Sequence, residues 1–314
     1  MTATSQTEAL RATGRRPAAR RGGARRRRNT WIAWGFAAPF VIIFSLFMFL
    51  PIVSSFALSF TDMTSADIRN PLAVDFVAFD QYAKVLSDPD FHTAALVTAT
   101  FVVVGIPVTV AIALGLAVAL NSGIRRARPL FRVVFYAPVV TSVVAVAVIW
   151  KYILARDGLL NMGLALVGVQ GPDWLNDPSY ALPALIGMAV WRNVGTLMVI
   201  FLAGLQSVPP ELLEAATVDG AGAWRRFTGI TMPLIRPTIL LGSVLISIGY
   251  LQFFEEAFVM TDGGPLNSTL SATLYTFRIF EFGDYATASA ASYIIFLAIV
   301  LVSILQFRIL RRKT

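Results

Sequence analysis

The sequence predicts an all-α, polytopic membrane protein of six transmembrane helices with both termini on the inner side. Three observations predict it. Apolar residues make up 56% of the 314 and charged residues only 14%, against roughly 25% charged in a soluble globular chain. The apolar residues gather into six runs long enough for a helix to cross a hydrocarbon core, which takes about 20 residues. The net charge of +8 is unevenly spread, with lysine and arginine concentrated in alternate connections. Cysteine is absent and His92 is the one histidine. Disulfides, thiolate metal sites and cysteine nucleophiles are therefore excluded, and a histidine metal site or triad is disfavoured. His92 reads as an interfacial residue.

Residues 1–30 hold nine arginines: Arg11, Arg15, Arg16, Arg20, Arg21 and Arg25 to Arg28. Such a segment cannot bury a core, and a disordered inner tail is expected. An apolar helix follows at once, which favours an anionic-lipid contact and topology anchor over a nucleic-acid-binding arm. That helix is too long for a signal-peptide core, and no small-residue cleavage site follows it. Trp31 to Phe60 carries no charge and forms the first span, with Pro51 expected to bend or end its outer part. Residues 61–93 are polar and rich in aspartate. Ala94 to Leu120 is the second span, its Pro107 tolerated where neighbouring helices satisfy the freed carbonyl. A basic turn, Asn121 to Leu130, leads to the third span, Val133 to Trp150. After a polar connection at 151–180 comes the fourth, Ala181 to Leu205. The fifth runs from Leu234 to Phe254, starting beside Pro237. Residues 259–284 form the last outer loop, Tyr285 to Phe307 the sixth span, and Arg308 to Thr314 a basic tail. The six spans make one domain, 31–307, between two inner tails.

Orientation follows from the cations. With the N-terminus inside, the inner segments collect the N-terminal cluster, Arg125/Arg126/Arg128, Arg225/Arg226 and Arg311/Arg312/Lys313. The outer connections keep Arg69, Lys84, Lys151, Arg156 and Arg278, together with most aspartates.

One inner connection, 207–233, is longer and more polar than its position requires. Its core reads ELLEAATVDGAGAWRRFTGITMP, Glu211 to Pro233. Pro210 suits a first helical turn, Leu212, Leu213 and Ala216 supply an apolar face, and Gly220 permits a break. A helix hairpin is expected, with Ala215 and Ala216 allowing close approach of another surface. The spacing Glu214-Ala215-Ala216, three residues, Gly220, nine residues, Ile230, one residue, Met232-Pro233 resembles the EAA motif of ABC-transporter permeases. The likeness extends from about Trp31 to the C-terminus. Phe79-Asp80-Gln81-Tyr82, Ala137-Pro138 through Trp150-Lys151, Trp191-Arg192-Asn193-Val194-Gly195, Phe201 to Gln206, and Phe258 to Pro265 resemble stretches of carbohydrate-type (maltose-like) importer permeases. Two departures stand out: Met232 where leucine is usual, a volume-conserving change, and Glu255-Glu256 where one acid is common. Which of those two faces the path stays open.

The resemblance implies a type I importer permease fold in a bacterial cytoplasmic membrane. It also implies a second permease subunit (a related but distinct chain, or a second copy), two ATPase subunits and an extracytoplasmic solute-binding protein. The loop would dock the ATPase through Glu214, Ala215, Ala216, Asp219, Gly220, Arg225 and Pro233. No phosphate-cradling G-x-x-x-x-G-K-[ST] run occurs, and none of the lysines Lys84, Lys151 and Lys313 follows a glycine. The chain is therefore read as a conduit, not an enzyme, with no cofactor of its own; ATP and Mg belong to the partner ATPase.

Polar groups inside spans are costly and mark candidate solute paths. Asn193 and Thr196 in span four, with Tyr250, Gln252, Phe253 and Glu255 at the outer part of span five, combine hydroxyl-binding groups with aromatic faces that stack on sugar rings. Arg192 is part of this path, a structural partner of Glu255 or Glu256, or, if span four begins later, a side chain that snorkels to the interface. The expected solute is a mono- or oligosaccharide or a glycerol-phosphate-like polyol. An ion- or proton-driven secondary transporter is the alternative, although no inverted repeat is evident. A membrane scaffold, the third reading, leaves the polar residues within the spans without a role. No nucleic-acid partner is expected.

Overall fold

The computed structural model describes residues 22–70, 74–122 and 128–311. The first 21 residues, the turn arginines Arg125 and Arg126, and Arg312 and Lys313 lie outside that range. The chain divides into two compact units, Met1–Ser54 and Ser55–Thr314.

Helix α1, Gly22–Phe44, passes through a π-helical turn, Ser45–Phe49, into α2, Leu50–Leu58. Helix α1 starts within the segment 1–30, at Gly22; arginine and alanine are good helix formers, and propagation from an existing helix is cheaper than nucleation. One expectation is corrected here. Pro51 does not end the span, which runs as 27 residues from Ile32 to Leu58. The Leu50 N–H already reaches back five residues to the Ser45 carbonyl, and a π turn of this kind accommodates a residue lacking an N–H.

The next connection begins with a single antiparallel bridge, Thr61 to Phe76, and a 3₁₀ turn, Ser65–Arg69, closed by a Thr64–Asp67 capping box. Helix α3, Asp80–Ser87, and the 34-residue α4, Pro89–Ser122, follow. Helices α5, Arg128–Val140, and α6, Val143–Ile153, occupy the place of the third span. They are not one straight helix: the pair is bent by 99°. Pro138 removes a backbone donor from the end of α5, and Ser142, with ψ 130, takes the chain out of helical geometry.

Helix α7, Leu159–Leu166, precedes α8, Pro178–Gln206, whose start is fixed by the Asp177 carboxylate accepting from the Ser179 N–H. Then come α9, Pro210–Val218, α10, Ala223–Arg226, a second π turn, Phe227–Thr231, and α11, Met232–Leu251. Residues Ala223–Leu251 form one 29-residue candidate span, so the fifth span begins inside the polar connection, not at Leu234. It also stops at Leu251, three residues before the expected Phe254. The chain closes with α12, Glu255–Met260, α13, Ala272–Glu281, and α14, Tyr285–Arg311. Among the described residues five helices are long and apolar enough to cross a membrane, and the bent α5–α6 pair makes a sixth crossing if it is one span.

In the second unit α4 lies against α8, and α11 against both. Phe101, Leu185, Met188, Leu197 and Phe201 are fully buried there. Gly195 lets α8 and α5 touch: a β-carbon on it would stand 1.9 Å from the Phe135 carbonyl oxygen. A hydrogen-bonded clasp joins α3 to the start of α14. The Lys84 ammonium donates to Asp284 at 2.7 Å, and the Thr287 hydroxyl donates to Gln81 at 2.8 Å. Partial burial of Asp284 opposes ionisation, but the donors Lys84 and Thr287 outweigh it and hold the carboxyl below its ordinary value. Nearby, the Tyr275 hydroxyl donates to Asp88 at 2.6 Å. Burial and that carboxylate both push the Tyr275 hydroxyl up.

Candidate functional site

The polar connection is a helix hairpin. Helix α9 ends in a Schellman motif: the Ala221 N–H reaches the Ala216 carbonyl at 2.9 Å and the Gly220 N–H reaches Thr217 at 3.1 Å. Gly220 supplies the left-handed residue, φ +77°, with open space around it. Its glycine thus serves backbone conformation, not close packing within this chain. The Thr217 hydroxyl donates back to Leu213 at 2.7 Å and accepts from the Arg226 guanidinium, pinning α10 to α9.

Glu214, Ala215, Asp219 and Arg225 are exposed, and Ala216 and Pro233 are half-buried. Among the described residues neither Glu214, Asp219 nor Arg225 enters an ion pair, so these charges remain available to another molecule. Sequence reasoning missed four hairpin residues. Thr217 and Arg226 hold its two arms together. Val218, 88% exposed, and Trp224, 76% exposed, present apolar surface on a connection that is otherwise polar. The signal for the last two was available: a valine and a tryptophan inside a charged stretch have no core to fill.

The second cluster lies where α11 ends. Asn193 and Thr196, on α8, are half-buried; the Asn193 amide donates to the Ala189 carbonyl at 2.8 Å. Tyr250 is buried, with its hydroxyl 2.8 Å from that of Thr109 and its ring edge-on to Phe101. Phe253 is buried too, stacked on Phe101 at 3.9 Å between centroids. Neither of these aromatic faces is open in this conformation, because leaving the helix at Gln252 turns Phe253 into the core. Gln252 and Glu255 are exposed, whereas Glu256 is buried. Arg192 forms no ion pair with either glutamate, and its Nε is buried without a hydrogen-bond partner. A separate open cleft of about 410 Å³ is lined by Lys151, Arg156, Asp173, Asn176 and Asp262 among others; none of the six expected path residues contributes to it.

The hairpin is exposed, and polar groups gather near the end of α11. Residues 111–314 match the family described as the binding-protein-dependent transport system inner membrane component. The chain belongs to that family. Its membership makes the protein a transport component, a permease subunit of an ABC importer in the inner membrane, and sets aside the ion-driven carrier. A lactose transport system permease protein from Rhizobium radiobacter is 35% identical over 89% of this chain and 94% of its own. A trehalose/maltose transport system permease protein from Thermococcus litoralis is 30% identical over 86% and 90%. The crystal structure of a bacterial ABC transporter involved in the import of alginate contains a chain of the same fold. It is 24% identical with a TM-score of 0.77, covering 93% of this chain and 99% of the other. As a permease, the protein works with a second permease and with ATPase partners.

Proposed function

We propose that the protein carries a sugar, a mono- or oligosaccharide or a glycerol-phosphate-like polyol, across the inner membrane, and that α9 and α10 seat in a groove of a separate ATPase subunit. The observation that carries the reading is the hairpin itself, ordered by its own Schellman motif yet presenting Glu214, Val218 and Trp224 to solvent. A helix that is preformed and unpaired is suited to insertion in a partner's groove at little ordering cost. Relatives that transport lactose and trehalose/maltose support the solute class.

In this reading both termini and the hairpin are cytoplasmic. Two ATPase subunits serve this chain and a second, related permease, and bind all the ATP and Mg the transporter uses. A solute-binding protein delivers the sugar at the opposite face, where the Lys84–Asp284 clasp lies. Nucleotide-driven closure of the ATPases shifts the hairpin between two positions and so biases which side the path opens to. Of the path residues, Asn193, Thr196, Gln252 and Glu255 are reachable in the present conformation, and Tyr250 and Phe253 need α11 to move before they meet solute.

The test is co-purification in detergent together with uptake in cells. Glu214→Lys is expected to lose the ATPase while retaining the partner permease, since reversing one charge of a desolvated pair costs about 2–5 kcal/mol. Normal ATPase retention and normal sugar uptake by this variant would remove the hairpin from the coupling role.

A further inference from the structure

We propose that helix α7, with the turn that follows it, is seated in the lipid of the membrane face at which α6 ends and α8 begins. The connection 151–180 is charged toward its ends, but residues 158–172 carry no charge. Leu159, Met162 and Leu166 are 69%, 59% and 89% exposed, and Leu160 is exposed beside them. At 100° per residue these four fall on one arc of about 160°. Asn161 lies opposite the centre of that arc, turned toward the chain on either side. Its amide donates to the carbonyls of Arg156 and Pro172, both at 3.0 Å, and its oxygen accepts from the Trp174 indole at 2.7 Å. A helix on a water-facing loop turns its polar side chains out and its leucines in; α7 does the reverse. Its end is well formed, in a Schellman motif: Gly168 has φ +77°, and the Gly168 and Val169 N–H groups reach Ala165 and Leu164, each at 3.0 Å. That turn adds the exposed Val167 and Val169 to the apolar surface.

What covers this surface follows from where α7 stands. It lies between Ile153, where the bent α5–α6 pair ends, and Pro178, where a 29-residue span begins, so both of its tethers lead into the hydrocarbon. Tyr152 and Tyr180 are exposed at these two span ends, and tyrosine settles at the boundary between lipid and water. Trp174 joins that level to α7, with its ring edge-on to Tyr180 at 5.9 Å and its N–H on Asn161. A helix held there with its leucines turned out lies in the interface plane, about 5–10 Å into the headgroup and acyl boundary. A solute-binding protein that delivers sugar and leaves would uncover the patch in every cycle, whereas lipid covers it throughout. The seat also has a use. Arg156, Asp173 and Asn176, on either side of α7, line the 410 Å³ cleft, so lipid fixes the height of that cleft's rim. All of this needs only a chain in the inner membrane, whatever the solute and whatever the hairpin binds.

Because the chain has no cysteine, single nitroxide labels can be attached through Met162→Cys and Leu166→Cys, with Asp157→Cys and Gln170→Cys as controls at exposed polar positions. All four sites are exposed or nearly so, and the substitutions disturb no buried packing. The transporter is purified whole through a tag on this chain and reconstituted in phosphatidylcholine–phosphatidylglycerol bilayers. Power saturation compares collision with oxygen, which concentrates in lipid, and with a nickel chelate, which stays in water. At positions 162 and 166 oxygen should dominate, and the ratio should place both labels about 5–10 Å below the phosphates. At positions 157 and 170 nickel should dominate. Nickel-dominated collision at 162 and 166 overturns the proposal. So does shielding from both reagents, which assigns the surface to the second permease, or nickel access that only added solute-binding protein removes, which assigns it to that protein.

Discussion

Gly220 and Asp284 show how single residues set local geometry by different means. At Gly220 a left-handed φ with free space around it means that a side chain is opposed by backbone conformation alone. A non-glycine residue there costs roughly 1–2 kcal/mol, and asparagine tolerates the region better than others. Gly220→Val is therefore expected to weaken ATPase co-purification and abolish uptake, while Gly220→Asn keeps most of both. Equal loss in the two variants would point to steric contact with the partner instead. Asp284 has a folded-state pKa below the ordinary carboxylate value, so its contribution to stability is full above the unfolded pKa of about 3.9 and fades as pH falls through the folded one. The Lys84–Asp284 pair is partly exposed, at 60% and 28% for the two side chains, and is worth no more than about 1 kcal/mol. The melting-temperature difference between wild type and Asp284→Asn should stay constant from pH 8 to about pH 5 and shrink below pH 4.

Among the elements, the contact between α8 and α5 and the hairpin's apolar tip carry opposite expectations. Gly195→Leu forces apart two helices whose backbones touch. Overpacking of this kind costs about 1–3 kcal/mol, so a lower melting temperature and reduced yield are expected in detergent. Val218→Ala with Trp224→Ala removes two largely exposed side chains, with the loss of the Trp224–Phe227 ring contact at 6.0 Å between centroids, so melting should change little. If the two side chains fill a pocket on the ATPase, its binding should weaken about 30-fold, an interface hot-spot effect of about 2 kcal/mol. Undiminished co-purification would leave Glu214 as the main anchor.

The positions of the elements were legible because a run of apolar residues must be helical in lipid, where every backbone group needs a partner within its own segment. The bend between α5 and α6 and the early end of α11 were not. The first break falls inside largely apolar sequence, where composition favours burial whichever way the chain turns, and Pro138 announces a disturbance but not its 99°; the second falls at Gln252, a single polar residue that does not by itself say where a helix ends. The same limit hid the burial of Tyr250 and Phe253. Span five looks alike on all faces, so which side meets Phe101 is settled by α4, a neighbour far away in sequence. The hairpin was more legible, since its glycine, proline and charge spacing act locally.

At the scale of the whole molecule, topology is the property open to direct test. Single cysteines placed at Thr2, Thr217 and Asp75 are expected to label from the inside, the inside and the outside respectively, following the arginine bias. Deletion of residues 1–24 should leave uptake nearly intact, because a terminal segment outside the bundle contributes orientation and lipid contact, not the path. Loss of uptake with normal insertion would show that the tail takes part in transport.

The unbroken helix from Ala223 to Leu251 has a mechanical consequence. Twenty-nine residues make a rod about 43 Å long, with one end in the hairpin and the other at the turn bearing Gln252 and Glu255. Helical from end to end, though with a π turn at Phe227–Thr231 and without N–H donors at Pro233 and Pro237, it has little slack with which to absorb a push. A tilt of about 5° pivoting at the hairpin sweeps the far end through about 4 Å, roughly two-thirds of a helical turn. Displacement of that size is comparable to the 3.9 Å stack between Phe253 and Phe101, so a lever this stiff can unstack an aromatic pair by a motion too small to register as a rearrangement where the force is applied.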